Sequence, residues 1–222
     1  GYYQAIATGL YEECGLEVSV RMGGPGIDNK QIFAGGGGDI MMASQIDDVF
    51  NLRKVGVPAT AVMAGFQKNA IVLMTHAGNG IESLEDMEGR PILISKNSRR
   101  TFWPFLKARY GFEDSQIRPY TYQLGPFLQD EMTIQQSFIT NEPYQVASKT
   151  DVEPNVFLLA DHGYQPYGSV IVFRDAFIEE HPELVQCFVD ASEEGFRTFF
   201  ENPAPGLELI REDNPENPDD LV

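Results

Sequence analysis

ATAVMAGFQKNAIVLMT, residues 59–75, holds two strand-length apolar runs, 59–66 and 70–75. They are separated only by Gln67, Lys68 and Asn69, too few residues to form a helix. Upstream, helical and strand patterns alternate. Residues 2–14 place Tyr3, Ile6, Ala7 and Leu10 at helical spacing, and residues 16–22 alternate as a strand. A helix over 28–34, a strand over 39–43, a helix from Ser44 to 53 and the strand 59–66 follow, an order that implies a largely parallel sheet. The direct strand-to-strand step at Gln67 breaks this alternation and marks a crossing into a second α/β lobe.

The second lobe repeats the pattern. Helices are expected over 81–87, 99–110 and 126–132, and strands over 91–95, 117–122 and 137–140. A last strand, 169–173, follows a turn-rich segment, and helices over 175–178, 182–201 and 206–212 return the chain to the first lobe. The predicted domains are lobe I, 1–66 with 168–222, and lobe II, 67–167. A length of 222 residues suits two lobes of about 100 residues each.

Composition narrows the function classes. With 42% hydrophobic and 22% charged residues the chain can bury a core. Its mainly apolar stretches, such as 71–74 and 169–173, fall far short of the roughly 20 residues of a bilayer crossing, so no direct membrane insertion is expected of this segment. A net charge of −17 repels phosphate backbones, which argues against nucleic acid as a partner. Lys96, Arg99 and Arg100 beside Ser95 and Ser98 suit a small anion better than a polymer. Cys14 and Cys187 lack metal or CxxC spacing and read as two buried small hydrophobes, with a disulfide as the alternative. His76, His162 and His181 form neither a metal-ligand nor a triad pattern. The first residues show no leader pattern, and the end falls in the acidic stretch 213–222, so the sequence is read as an internal piece of a longer protein.

In chain order, the words GYYQA (1–5), EECGLEV (12–18), GGPG (23–26), GDI (38–40), LEDMEGR (84–90), QQSFITNEPY (135–144), YQPYG (164–168), PELV (182–185) and FVDAS (188–192) carry a family resemblance. The chain resembles the nitrate, sulfonate and thiamine-pyrimidine-precursor binding proteins of ABC importers. That resemblance implies a type II periplasmic-binding-protein-like clamshell, two α/β lobes joined by two crossing strands, which captures a small molecule and delivers it to the importer's permease subunits. It also implies a monomer, no cofactor, no catalysis, and a periplasmic or lipid-anchored extracytoplasmic location. A pyrimidine synthase shares the fold, but its cysteine-rich motif is missing here.

Ligands of open α/β sheets sit beyond the carboxyl ends of the strands. Gly24 and Gly26 either turn the chain or let a ligand approach backbone amides. Ser44 caps a helix or offers its hydroxyl, and Phe66 ends the first crossing strand. Ser98 and Arg99 would meet an acid group, and Trp103 either stacks on a planar ligand or fills the core. Glu142, fixed by Pro143, is expected to accept hydrogen bonds from ligand amino groups, with Tyr3, Tyr144 or Tyr167 stacking. The alternative for Glu142 is a structural cap or ion pair. On the first reading, Glu142→Ala weakens binding without unfolding the chain. A planar nitrogenous ligand such as a thiamine pyrimidine precursor is favoured, and a small anion is the alternative.

Overall fold

The computed structural model describes residues 1–24 and 27–215. Two compact units are present: residues 1–43, 48–63 and 170 onward form the first, and residues 44–47 with 64–169 form the second.

In the first unit, α1 (Tyr2–Ala7) and α2 (Leu10–Glu13) are separated at Gly9, whose φ of +76° suits glycine. α3 (Asn29–Ala34) is capped by Asp28, which accepts from the Lys30 and Gln31 amides. Next come β1 (Ile40–Gln45), α4 (Ile46–Lys54) and β2 (Ala59–Phe66). Residues 16–22 are not a strand: their alternation survives as half-buried Leu16, Val18 and Val20, but no ladder partner exists among the described residues.

The second unit carries β3 (Ile71–His76), β4 (Ile92–Ile94), α5 (Phe102–Tyr110), β5 (Ile117–Pro119), α6 (Gly125–Gln129), β6 (Ile134–Phe138), α7 (Glu142–Lys149) and β7 (Pro154–Leu158). The sheet order is β5-β4-β6-β3-β7. β4 runs parallel to β5 and β6, whereas β3 is antiparallel to β6 and β7, so the sheet is mixed. β7 was not anticipated. Pro154 opens it, and an edge strand tolerates the missing donor. α7 was not anticipated either, although Pro143 lies in its first turn, where a missing N–H costs nothing.

The helix expected over 81–87 is only a 3-10 turn, Glu85–Met87. The Asp86 carboxylate accepts from the Glu82 and Ser83 amides and the Ser83 hydroxyl, and this local alternative outcompetes a helix. Those bonds, the Glu82 amide first, hold its carboxyl below the ordinary aspartate range.

β8 (Gly168–Arg174), α8 (Asp175–Glu180), α9 (Pro182–Glu201) and α10 (Ala204–Asp213) complete the chain. β8 lies between β1 and β2 in a three-stranded sheet. Three strands change unit rather than two: β1 after Ala43, β2 after Met63 and β8 after Ser169.

In the first unit's core, α9 presents Val185, Phe188, Ala191, Ser192 and Gly195 on one face. Tyr11 stacks on Phe188 at 5.0 Å and hydrogen-bonds Ser192 Oγ at 2.7 Å. A Cβ on Gly195 would lie 2.6 Å from the Gly1 carbonyl oxygen, so α1 approaches α9 backbone to backbone.

The reading of Cys14 and Cys187 as separate hydrophobes is overturned, because they form a disulfide with Cα atoms 5.9 Å apart. Packing of Tyr11 on Phe188 brings together the segments that carry the two cysteines, which are 173 residues apart in sequence. Closing so long a loop restricts the unfolded chain, an effect typically of about 2–4 kcal/mol. The Cys14→Ser/Cys187→Ser protein is therefore expected to melt well below wild type. Calorimetry with and without reductant checks this, and wild type in reductant should fall to the level of the double variant.

Candidate functional site

Because β4, β5 and β6 are parallel, the loops leaving all three emerge on one edge of the second unit's sheet. β3 enters from that same edge, with Ile71 opposite Phe138.

The loop after β4 is pinned from below. The Ser95 amide donates to Gln136 Oε1 at 2.6 Å, and the Ser95 and Ser98 hydroxyls lie 2.8 Å apart. The Ser98 amide donates to Ser95 Oγ at 3.2 Å. Both serines are buried, while Lys96, Arg99 and Arg100 are exposed. The loop thus carries exposed cations along with a buried polar floor whose hydroxyls already bond each other.

After β5, Tyr120 is buried and donates its hydroxyl to Glu142 Oε1 at 2.7 Å. Glu142 Oε2 accepts the Phe138 amide at 2.9 Å, so one carboxylate ties the ends of β5 and β6 to the start of α7. Burial first, then the Glu142 charge and the bond to it, push the Tyr120 phenol well above the ordinary tyrosine value. The Tyr122 ring packs 5.0 Å from that of Tyr120, and its backbone holds a φ of 63°, uncommon for a bulky residue. Its ring is half-exposed, as is that of Tyr144.

These facts sort the predicted residues. Ser44, Phe66, Ser98, Arg99, Trp103, Glu142, Tyr144 and Tyr167 belong to the second unit; Tyr3 and Gly24 belong to the first. Gly26 lies outside the described residues. Ser44 is an exposed residue within β1, one residue too early to cap α4.

Trp103 is 2% exposed, packs on Phe112 and donates Nε1–H to Asp114 at 2.8 Å; the indole is a core side chain with no face left for a ligand. Tyr3 donates its hydroxyl to Asp213 at 2.8 Å, and burial, then that bond and charge, push it up to about 12. Glu142 is corrected from a ligand acceptor whose removal spares stability to a buried organiser of this edge.

Sequence reasoning missed Tyr120, Tyr122 and Gln136. It assigned no part to Gln45 or Asn69. Tyr122 had a signal, an aromatic just past a strand end, but the strand was drawn to include it.

Glu142→Ala leaves the Tyr120 hydroxyl and the Phe138 amide without their carboxylate partner, each worth roughly 1–3 kcal/mol when buried. Calorimetry of the ligand-free variant should show a lower melting temperature. A phenol whose folded value is raised contributes stability below its unfolded value, about 10, and loses it as pH rises toward the folded value. The urea midpoint should therefore drop above about pH 10, and Tyr120→Phe should show a shallower alkaline fall.

The family described as NMT1/THI5 like matches residues 1–205. A "Riboflavin-binding protein RibY" from Chloroflexus aurantiacus is 27% identical over 97% of this chain and 62% of its own length. A "Formylaminopyrimidine-binding protein" from Halalkalibacterium halodurans is 23% identical over 94% of this chain and 64% of its own length. The chain thus spans less than two thirds of these curated relatives. Among solved structures, the periplasmic aliphatic sulphonate binding protein SsuA from Escherichia coli aligns with a TM-score of 0.72 at 15% identity, covering 99% of this chain and 74% of its own. At that identity the likeness establishes the fold, α/β and periplasmic-binding-protein-like, and leaves the ligand open. The match over residues 1–205 places this chain in the NMT1/THI5-like family.

Proposed function

We propose that this chain is the ligand-capturing part of an ABC importer's solute-binding protein, taking a planar nitrogen heterocycle of the pyrimidine or isoalloxazine class. The observation that carries this reading is the aromatic and polar build of one sheet edge. Half-exposed rings of Tyr122 and Tyr144 accompany exposed Phe138 and Ile139 beside a hydrogen-bonded floor of Ser95, Ser98 and Gln136. Rings supply stacking area at little entropic cost, and the hydrogen bonds among Ser95, Ser98 and Gln136 hold the loop after β4 in place.

Two relatives are named for heterocycles, riboflavin and formylaminopyrimidine, which supports that class over an inorganic anion. A thiamine pyrimidine precursor remains the favoured small member, and the riboflavin-binding relative adds the larger isoalloxazine. Delivery to permease subunits and an extracytoplasmic site of action go with this reading. The disulfide, a bond that persists in oxidising compartments, supports that address.

One observation favours a second reading. Lys96, Arg99 and Arg100 are exposed at the same edge and would suit a sulfonate or carboxylate.

A thermal-shift screen against riboflavin, aminopyrimidines, uracil, alkanesulfonates and nitrate tests the proposal, since a ligand that binds only the folded chain raises its melting temperature. The expected result is a rise with at least one heterocycle and none with simple anions. A rise with anions alone overturns it and moves recognition to Arg99 and its neighbours.

A further inference from the structure

We infer that Asn69, assisted by Gln45, supplies the polar anchor of the site by donating a carboxamide N–H to a carbonyl oxygen of the bound heterocycle. This inference rests on the proposed function and narrows it to carbonyl-bearing rings: isoalloxazines, pyrimidinediones and formylated pyrimidines.

Among the described residues, four buried side-chain polar atoms have no hydrogen-bond partner: Tyr2 Oη, Gln45 Nε2, Asn69 Nδ2 and Gln135 Oε1. Two of the four are amide donors from one small region of the second unit. Gln45 ends β1, and the following amide, that of Ile46, donates to the Tyr167 carbonyl at 3.1 Å. Asn69 follows β2, and its Nδ2 is the atom nearest to a Cβ built on Gly168, at 3.1 Å. The Asn69 carboxamide therefore borders Gly168, while the backbone leaving Gln45 is joined to the neighbouring Tyr167 and the Gln45 carboxamide meets Tyr164. The rings of Phe66 and Tyr167 are exposed. Asn69 also leads into β3 at the edge that carries Phe138 and Ile139, since the Ile139 amide donates to the Ala70 carbonyl at 3.0 Å.

The orientation of the Asn69 amide is fixed by its other end. Oδ1 accepts the Ile71 amide at 3.0 Å, and a flipped side chain would set two donors against each other. Nδ2 is therefore a donor held in place. Gln45 differs: its Oε1 accepts from the Tyr164 hydroxyl at 3.1 Å, a group able to donate or accept, so its free end can present a donor or, flipped, an acceptor. A fixed donor and an adaptable amide, both set against the 164–168 segment, suit a ring that carries both C=O and N–H groups.

Gly168 has a negative φ, so its missing side chain answers to the close approach of Asn69 rather than to backbone conformation. Buried donors are almost always paired in folded proteins. One left unspent beneath exposed rings is a donor whose acceptor arrives with the ligand.

The test uses the purified chain, with riboflavin as the carbonyl-bearing probe and 4-amino-5-hydroxymethyl-2-methylpyrimidine as the probe without a carbonyl, both by isothermal titration. Asn69→Asp keeps the oxygen that accepts from the Ile71 amide and replaces only the donor. It is expected to lose at least about tenfold in riboflavin affinity, as an unpaired polar contact does, with aminopyrimidine affinity unchanged. Gln45→Met, uncharged and of similar length, provides the second variant where the new charge impairs folding, and the same loss is expected. A folded Asn69→Asp or Gln45→Met protein that holds riboflavin as tightly as wild type overturns the inference and leaves the proposed function standing. A wild-type chain that binds neither heterocycle overturns both.

Discussion

The register of β3 is the constraint on which the second unit depends. All six of its residues are buried, so it needs a hydrogen-bonded neighbour on each side and apolar cover on each face. β6 and β7 supply the neighbours. Ile71 and Leu73 enter one apolar cluster with Phe102, Trp103 and Leu106, while Met74 enters another with Leu93, Tyr120 and Phe127. A one-residue slip would exchange those faces and move Asn69 away from Gly168. The packing that makes the sheet stable also sets which side chains stand at the edge where the loops after β4, β5 and β6 emerge.

The first unit is held by a different means. Its defining contacts join the two ends of the sequence: Tyr11 against Phe188, the backbone of Gly1 against Gly195, and the Cys14–Cys187 bond. Contacts that close so long a loop are entropically expensive to form, and a covalent closure lightens that cost by restricting the unfolded chain. Arg174 contributes within the same unit by donating to the Phe33 carbonyl while its guanidinium lies 4.5 Å from the Phe33 ring centroid.

Chemistry at the candidate site is governed by which polar groups are already spent. Glu142 faces inward and organises three element ends, Ser95 and Ser98 satisfy each other, and the Trp103 indole is committed to Asp114. Under the proposed function, the groups left to meet a ligand are the exposed rings, the exposed cations and the unpaired carboxamides of Gln45 and Asn69. A neutral amide in a buried setting discriminates by geometry and by the penalty for leaving it unpaired, which suits recognition of an uncharged ring edge.

The sequence by itself determined the two α/β halves, the bounds of β2 at Ala59–Phe66 and of α9 at Pro182–Glu201, and the family, because local periodicity and ordered short words are properties of the chain alone. It did not determine the strand directions around β3, the pairing of Cys14 with Cys187, or the inward turn of Glu142, and it misread residues 16–22 and 81–87. Each of these depends on a partner distant in sequence, or on a side chain such as Asp86 competing for backbone amides. Local pattern records neither. Whether a polar side chain is spent or free is decided only when the chain closes on itself, and so the fold was legible at Gln67 while the unspent amide at Asn69, two residues on, was not.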